Sequence, residues 1–329
     1  MRVLADKGQP LATNTDLAKF DPGTDIIPSL PPDQHPVRVY LASLSVGSRR
    51  TMAQALGVIA EIITGGRMDA LALPWNRVEY QHCQAVRSLL AERYKASTAN
   101  KMLAAMRGVL REAWRLGHMD AETYHRAVDI KSIKGESLPK GRMLSVGEIR
   151  ALVESCDPTA TGKRDAALLA VLYCGGLRRS EAVALDVGDF DSVTGELRVS
   201  GKGNKERIVY ATNGAADAIT AWVSVRGSSP GPLFLPTRKG GKVLLERRLT
   251  AQSVLDILRK LAKRANVAQF SPHDLRRTFI SALLDAGVDL VTVQKMAAHA
   301  QVTTTARYDR RDEKAKKQAA EMLHFPFAA

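Results

Sequence analysis

SPHDLRRTF, at residues 271–279, is the stretch that decides how the second half of the chain folds. Ser271 and Pro272 are typical of a helix start, because proline suits the first turn of a helix. His273 and Arg276 lie three residues apart and therefore share one face of that helix. Two cationic side chains on one face repel each other unless an anion lies opposite them. The stretch thus predicts a helix that presents an imidazole and a guanidinium to an anion.

Four further patterns lie around this helix, and each has a plain structural explanation when taken alone. An arginine follows a glycine pair, lysines lie at a hairpin tip, a histidine lies among small residues, and a tyrosine lies at a packing position. The stretches are GGLRRSEAVAL at 175–185, GKGNKER at 201–207, MAAHA at 296–300 and TTTARY at 303–308. Together with the 271–279 stretch, these patterns supply a set of side chains that suits one reaction: Arg178, Lys202, His273, Arg276, His299 and Tyr308.

That reaction is attack on a phosphodiester. Negative charge spreads over the non-bridging oxygens during attack, and two arginine forks can hold those oxygens in a fixed geometry. A phenol becomes a nucleophile when cations favour its phenolate and a base removes its proton. The leaving alkoxide needs a proton from a general acid. The sequence shows no carboxylate cluster or Cys/His spacing typical of a metal site.

In these motifs and their order, the chain resembles the tyrosine recombinase, or phage integrase, family of site-specific recombinases. The resemblance covers most of residues 145–310. It implies that Tyr308 attacks the scissile phosphate to form a 3′-phosphotyrosyl bond and a free 5′-hydroxyl. The resemblance also implies that Arg178 and Arg276 clamp the non-bridging oxygens and that Lys202 is the general acid. It implies that His273 takes part in proton transfer and that His299 donates a hydrogen bond. Glu181 would support the helix that carries the first arginine.

One residue departs from the family pattern. The family usually has Leu-Gly-His before its second histidine, whereas this chain has Ala297-Ala298-His299. Since alanine adds only a methyl group, we expect an active enzyme. We also expect Arg179 and Arg277, which follow the two clamping arginines, to point toward DNA backbone or solvent.

Charge and composition favour a nucleic-acid partner. The 329 residues include 48 Lys and Arg against 34 Asp and Glu, a formal net charge of +14, which favours a polyanion. Aromatic residues make up only 5%, which argues against single-stranded bases stacked on a row of rings. No apolar run is long enough to span a bilayer and no signal-peptide core is evident. The three cysteines fit a reducing compartment, so we expect a cytoplasmic, nucleoid-associated bacterial protein without membrane contact.

The pattern along the chain predicts a mainly α protein with a small antiparallel β-sheet in its catalytic domain. We expect a flexible N-terminal arm at 1–34, a helical DNA-binding domain at 35–130, a linker at 131–142, a catalytic domain at 143–308 and a tail helix at 309–329. The resemblance implies a SAM-like core-binding fold for the first domain. Periodicity there predicts helices from Ser48 to Ile63, from Asn76 to Tyr94 and from Ser97 onward. Ser145 and Glu148 form a capping-box pattern, and the runs at 196–200 and 207–210 predict a hairpin.

The helical domain and the catalytic domain together suggest a clamp around duplex DNA. Lys101, Arg107 and Arg111 lie off the apolar stripe of one helix and are candidates for phosphate contacts. The resemblance implies a tetramer that exchanges strands through a Holliday junction without cofactor, metal or ATP. The sequence leaves open whether the tail docks in cis or in trans, and whether accessory DNA-bending or partner recombinase proteins take part.

Several alternatives also stay open at this level. Integration or excision of a mobile element and resolution of dimers share the same chemistry, and the sequence does not name the DNA site. A catalytically silent DNA-binding regulator and a type IB topoisomerase-like enzyme are the competing functions. The hypothesis of RNA binding is supported by charge alone, because the sequence has no RNA-recognition signature.

Overall fold

The computed structural model describes residues 30–135, 141–201, 206–238, 240–245, 247–309 and 320–321. The chain divides into two compact units, residues 1–138 and 139–329. The described elements are mainly α-helices, with one two-stranded antiparallel sheet in the second unit. This architecture confirms the predicted fold class. None of the helices in the described residues has the length and apolar character needed to cross a bilayer.

The first unit is helical throughout its described part. Its central helix, α4, contacts each of the other four, and its buried face includes Leu103, Met106 and Leu110. Packing of this apolar face, rather than helix propensity alone, stabilises the bundle. The helices are α1 (Pro36–Ser43), α2 (Val46–Thr64), α3 (Tyr80–Arg93), α4 (Ala96–Arg115) and α5 (Ala121–Val128).

Two helix boundaries in this unit differ from the sequence prediction. Helix α2 begins at Val46 rather than at Ser48, with Ser45 at its N-cap. The single helix expected from Asn76 to Tyr94 is a short 3-10 helix, Trp75–Arg77, followed by α3. The break arises because Glu79 is extended and caps α3, with the ring Nδ1 of His82 accepting from the Glu79 N–H at 3.1 Å.

The second unit has its core around α7, which contacts α8, α9 and α11. Leu168, Val171 and Leu172 of α7 are fully buried, together with Trp222 and Phe234. The helices are α6 (Val146–Glu154), α7 (Ala160–Tyr173), α8 (Arg179–Ala184), α9 (Gly214–Arg226), α10 (Ala251–Arg264), α11 (Pro272–Asp285), α12 (Leu290–Ala297) and α13 (Val302–Ala306). The predicted capping box of α6 is confirmed: Ser145 Oγ accepts from the Glu148 N–H at 3.2 Å and Glu148 accepts from the Ser145 N–H at 2.8 Å.

The predicted hairpin is also confirmed. It pairs β1 (Glu196–Ser200) with β2 (Glu206–Tyr210), and Ser200 lies opposite Glu206 at its outer end. Leu197 and Val199 of β1 and Val209 of β2 are buried, as the period of two in a strand requires. In the sequence, residues 201–205 connect the two strands.

A glycine just beyond the end of α7 allows two site-bearing helices to meet. Gly176 has φ +58°, and a Cβ on it would lie 2.3 Å from the ring of Phe279 in α11. Only glycine fits both the left-handed backbone and this close approach. The turn before α8 is thereby packed directly against α11.

Parts of the predicted arm, linker and tail lie outside the described residues. Only residues 30–34 of the arm are described, and only 309, 320 and 321 of the tail. Within the predicted linker, Ile133 exchanges two hydrogen bonds with Asn100 of α4, at 2.8 and 2.9 Å. Arg142 donates from its backbone N–H to Asp274 at 3.1 Å and pairs with Glu148 at 2.7 Å. The two described ends of the linker are thus each fastened to their own unit.

The close contact of α1 with α4 gives a stability test. A Cβ at Gly108 would lie 2.2 Å from Cε2 of Tyr40, so we expect Gly108→Ala to lower the free energy of unfolding by about 1–3 kcal/mol through overpacking. Gly57→Ala in α2 is the matched control, because its Cβ would meet open space, and it should raise stability by about 0.5–1 kcal/mol. Urea unfolding of both variants checks this, and equal gains would contradict the packing described.

Candidate active site

The carboxylate of Glu181, in α8, connects two arginines from different elements. Its side chain is 5% exposed. Oε1 accepts a hydrogen bond from Nη1 of Arg178 at 2.7 Å, and Oε2 accepts one from Nη2 of Arg207 at 2.8 Å. The backbone N–H of Arg178 also donates to Oε2, at 2.9 Å. One carboxylate therefore fixes a guanidinium at the start of α8 and another on β2.

Glu181 is ionised at neutral pH. Burial raises the pKa of its carboxyl, but the hydrogen bonds and charge of Arg207 and the hydrogen bonds from Arg178 outweigh this effect. The resulting pKa is about 2. The side chain of Arg178 is 43% exposed. Arg178 thus keeps part of its guanidinium open to a ligand while Glu181 holds the rest.

The C-terminal end of α8 is held by Arg248. Nη1 of Arg248 donates to the carbonyls of Val183, Ala184 and Leu185, at 2.9, 2.8 and 3.1 Å. Its Nη2 donates to Asp186 at 2.5 Å. These carbonyls have no partner within so short a helix, so Arg248 fixes the helix that carries Arg178 and Glu181.

Arg276 is buried, with 1% of its surface exposed. Its two terminal nitrogens donate to the carbonyls of Gly176 and Ala297. These carbonyls lie just beyond α7 and at the last residue of α12, where the helix dipole places partial negative charge. Burial and the nearby Arg178 lower the pKa of Arg276 to about 10. Arg276 therefore stays cationic at neutral pH.

The hydroxyl of Tyr308 lies 3.0 Å from Nε2 of His273. The ring of Tyr308 also stacks on His299, with centroids 6.0 Å apart and planes 18° apart. The guanidinium carbon of Arg277 lies 5.3 Å from the centroid of the Tyr308 ring. Burial and the charges of Arg276 and Arg277 lower the pKa of His273. A neutral His273 can accept the phenolic proton.

His299 is fixed through both its backbone and its ring. Its N–H donates to the Gln294 carbonyl at 3.1 Å, and Nε2 of Gln294 donates to the His299 carbonyl at 2.9 Å. Nδ1 of the ring lies 2.9 Å from Oγ1 of Thr305. Burial, Arg276 and Arg178 lower the pKa of His299 to about 4, so the ring is neutral at pH 7.

Ala298 occupies a backbone conformation that favours glycine. It ends α12 with φ 47° and ψ 52°, in the left-handed region. A non-glycine residue there costs roughly 1–2 kcal/mol. The hydrogen bonds at His299 and the Arg276 contact to Ala297 hold the turn despite this cost.

Arg178, His273 and Arg276 line one groove of about 440 Å³ between α8 and the start of α11. Two cationic forks and a neutral imidazole beside a phenol suit an anionic tetrahedral group under attack by the phenol oxygen. Within the described residues, no cluster of three or more His, Cys, Asp or Glu side chains is arranged to hold a metal ion.

Five of the six sequence-selected residues thus lie together in the second unit. The sixth, Lys202, lies outside the described residues, in the sequence between β1 and β2.

The three candidates for DNA contact in the first unit differ from one another. Lys101 and Arg111 are exposed on α4. Arg107 instead donates to the carbonyls of Val128 and Ile130. Its guanidinium therefore connects α4 to the chain after α5.

Sequence reasoning missed three side chains of this site. Arg207 shares a strand face with the buried Val209, so its inward direction was readable from the period of two. Arg277 was expected to point toward DNA or solvent, but it is 7% exposed and lies against the Tyr308 ring. That expectation is wrong because Arg277 lies on the buried part of α11. Thr305 carried no signal beyond its place near Tyr308.

The chain is similar in sequence to known proteins. The pattern of the Phage integrase family matches residues 142–315. The chain is 31% identical over 251 residues to tyrosine recombinase XerC of Syntrophus aciditrophicus, covering 71% of this chain and 76% of the relative. It is 38% identical over 229 residues to tyrosine recombinase XerD of Mycobacterium leprae, covering 65% and 69%.

Solved structures share the fold. The Tn1549 transposon integrase in complex with transposon right end DNA gives a TM-score of 0.66 at 15% identity, covering 88% of this chain and 98% of that one. The XerH site-specific recombinase bound to its difH substrate, in a pre-cleavage complex, gives a TM-score of 0.59 at 18% identity, covering 95% and 98%.

The low pKa of Glu181 predicts an acid-dependent loss of stability. Its folded pKa of about 2 lies below the ordinary 4.5, so its stabilising contribution is present above pH 4.5 and disappears as the pH falls toward 2. The difference corresponds to about 3 kcal/mol at neutral pH. In urea unfolding, the free energy of unfolding of Glu181→Gln should lie well below that of wild type at pH 7. The difference between the two should narrow below about pH 4.5.

Glu154→Gln is the control for this experiment, since Glu154 is exposed on α6 of the same unit. We expect it to change stability by no more than about 0.5 kcal/mol. A gap between wild type and Glu181→Gln that stays constant down to acid pH would contradict the ionised, arginine-bound carboxylate.

Proposed function

The chain belongs to the phage integrase family and is a tyrosine site-specific recombinase, and on that basis we propose that Tyr308 is its nucleophile. The observation that carries this assignment is the 3.0 Å contact between the Tyr308 hydroxyl and Nε2 of a His273 whose pKa is lowered. Nucleophile and base at hydrogen-bond distance are the geometric signature of covalent catalysis.

In the proposed cleavage step, the phenol oxygen of Tyr308 bonds to phosphorus while its proton passes to Nε2 of His273. The bond from phosphorus to the 5′-oxygen breaks, and Lys202 gives that oxygen a proton. The products are a 3′-phosphotyrosyl bond and a free 5′-hydroxyl. Since one ester replaces another, the reverse step with a 5′-hydroxyl from a second duplex rejoins the DNA without an external energy source.

Arg178 and Arg276 stabilise the charge that develops on the non-bridging oxygens. Both guanidiniums are held before DNA arrives, Arg178 by Glu181 and Arg276 by two carbonyls. Preorganised donors cost little reorganisation at the moment of reaction, and removing one such donor costs about 10²–10³ in rate.

The first unit supplies further contacts to duplex DNA in this proposal. Lys101 and Arg111 are exposed and free to meet phosphates, whereas Arg107 contributes by tying α4 to residues 128–130. A positive chain of this kind binds DNA with a strong dependence on salt.

We further propose strand exchange in a tetramer on two recombination sites, through a Holliday junction. The biological outcome is integration or excision of a mobile element, or resolution of dimers. The tail at 309–329 would then join neighbouring subunits, or fold back on its own unit, and accessory or partner proteins would set the direction of exchange.

The nucleophile is tested by covalent trapping. The Tyr308→Phe variant first selects bound duplexes from a random-sequence library, and wild type and variant are then incubated in EDTA with selected duplexes nicked at successive positions. We expect a protein–DNA band on a denaturing gel from wild type alone, because phenylalanine lacks the attacking oxygen. An equal band from the phenylalanine variant would contradict the assignment, and binding by wild type without any band would favour a silent regulator.

Lys202 is tested by changing the leaving group. Lys202→Ala should cleave an ordinary phosphodiester far more slowly than wild type, because the departing 5′-alkoxide lacks its proton donor. A 5′-bridging phosphorothiolate leaves as a thiolate that needs no proton, so this substrate should restore the variant's rate toward that of wild type. Lys205→Ala, in the same hairpin segment, is the control. A Lys202→Ala defect of equal size on both substrates would assign lysine a role other than general acid.

A further inference from the structure

A buried hydroxyl lies behind His299. Thr305, in α13, is 0% exposed, and its Oγ1 is 2.9 Å from Nδ1 of His299. Within the described part of the chain, this is the one hydrogen bond that the Thr305 hydroxyl makes. The contact therefore decides where two protons lie, that of the hydroxyl and that of the imidazole.

Only one arrangement of these protons leaves no buried donor unsatisfied. If Nδ1 carried the ring proton and donated to Oγ1, the hydroxyl proton would need another acceptor in a place that water does not reach. A buried donor without a partner costs about 1–3 kcal/mol. If the hydroxyl donates to Nδ1 instead, both groups are satisfied and the ring proton lies on Nε2.

We propose that Thr305 is a positioning residue that sets the tautomer of His299, so that Nε2 carries the N–H and donates to the phosphate. This inference rests on the proposed recombination chemistry for its consequence, but the tautomer itself is a property of the protein alone. The low pKa of His299 agrees with it, because only a neutral imidazole has a tautomer to set.

The tautomer matters because the site already contains several cations. Arg276 of α11, Arg178 before α8 and Arg207 of β2 all act on the His299 ring and disfavour its protonation. A neutral N–H donor stabilises a non-bridging oxygen without adding another charge to this group. The opposite tautomer would point a lone pair at the anionic oxygen and repel it.

Thr305 also contacts the nucleophile, but through its backbone. The N–H of Tyr308 donates to the Thr305 carbonyl at 2.9 Å. Replacing the hydroxyl by a methyl group in Thr305→Val keeps this backbone bond and the shape of the side chain. The variant thus separates the tautomer from the placement of Tyr308.

The direct test is the ¹⁵N spectrum of the histidine rings in the full-length protein at neutral pH, with His299 assigned by its loss in His299→Gln. We expect a pyridine-like Nδ1 and a pyrrole-like Nε2 in wild type and in Thr305→Ser. In Thr305→Val, the two nitrogens should shift toward a mixture of tautomers. A wild-type ring with a pyrrole-like Nδ1 would overturn the proposal, whatever the enzyme's activity.

The kinetic test uses the trapping duplexes. Thr305→Val should slow covalent cleavage about tenfold or more while DNA binding is unchanged, Thr305→Ser should restore most of the rate, and Thr303→Val, at an exposed position of the same helix, should cleave like wild type. Cleavage by Thr305→Val at the wild-type rate would overturn the proposal. Failure of wild type to cleave would instead count against the proposed function, and the ¹⁵N spectrum would still decide the tautomer.

Discussion

The negative charge of Glu181 lets this site hold several cations close together. Like charges about 4 Å apart repel by about 4 kcal/mol near a protein surface, yet Arg178 and Arg207 both bind the one carboxylate. Arg276 has no carboxylate partner of this kind; its charge is stabilised by hydrogen bonds to two carbonyls, just beyond α7 and at the end of α12. The four arginines of the site outnumber its two buried carboxylates, Glu181 and Asp274, so the folded site keeps a net positive charge that suits an anion. The repulsion between these cations is offset by the folding free energy, before DNA binds.

Backbone geometry places these charges. Gly176 lets the turn before α8 pack directly on α11, which brings Arg178 and Arg276 to one groove. Ala298 turns the chain after α12 so that His299 faces the ring of Tyr308. The same turn leaves the Ala297 carbonyl for Arg276. Residues distant in sequence are thus joined through backbone groups as much as through side chains.

The sequence predicted the elements better than the contacts between them. The hairpin and the α6 capping box follow from local patterns, since alternation and caps depend on near neighbours. The break before α3 escaped prediction because Glu79 leaves a pattern that still looks helical. The motif residues could be predicted because their chemical types together suit one reaction. Arg207, Arg277 and Thr305 act through burial and through contacts that a local pattern does not reveal. Ala298 was recognised as a departure, but its left-handed conformation is a tertiary property.

Replacing the charged scissile phosphate by a neutral group tests whether the arginines act on its negative charge. Covalent cleavage by wild type and Arg178→Ala is measured on matched duplexes with an anionic phosphate or a neutral methylphosphonate at the scissile position. We expect Arg178→Ala to slow cleavage of the phosphate by about 10²–10³ and cleavage of the methylphosphonate by much less. An equal loss on both linkages would show that Arg178 supports the fold rather than the charge of the reacting group.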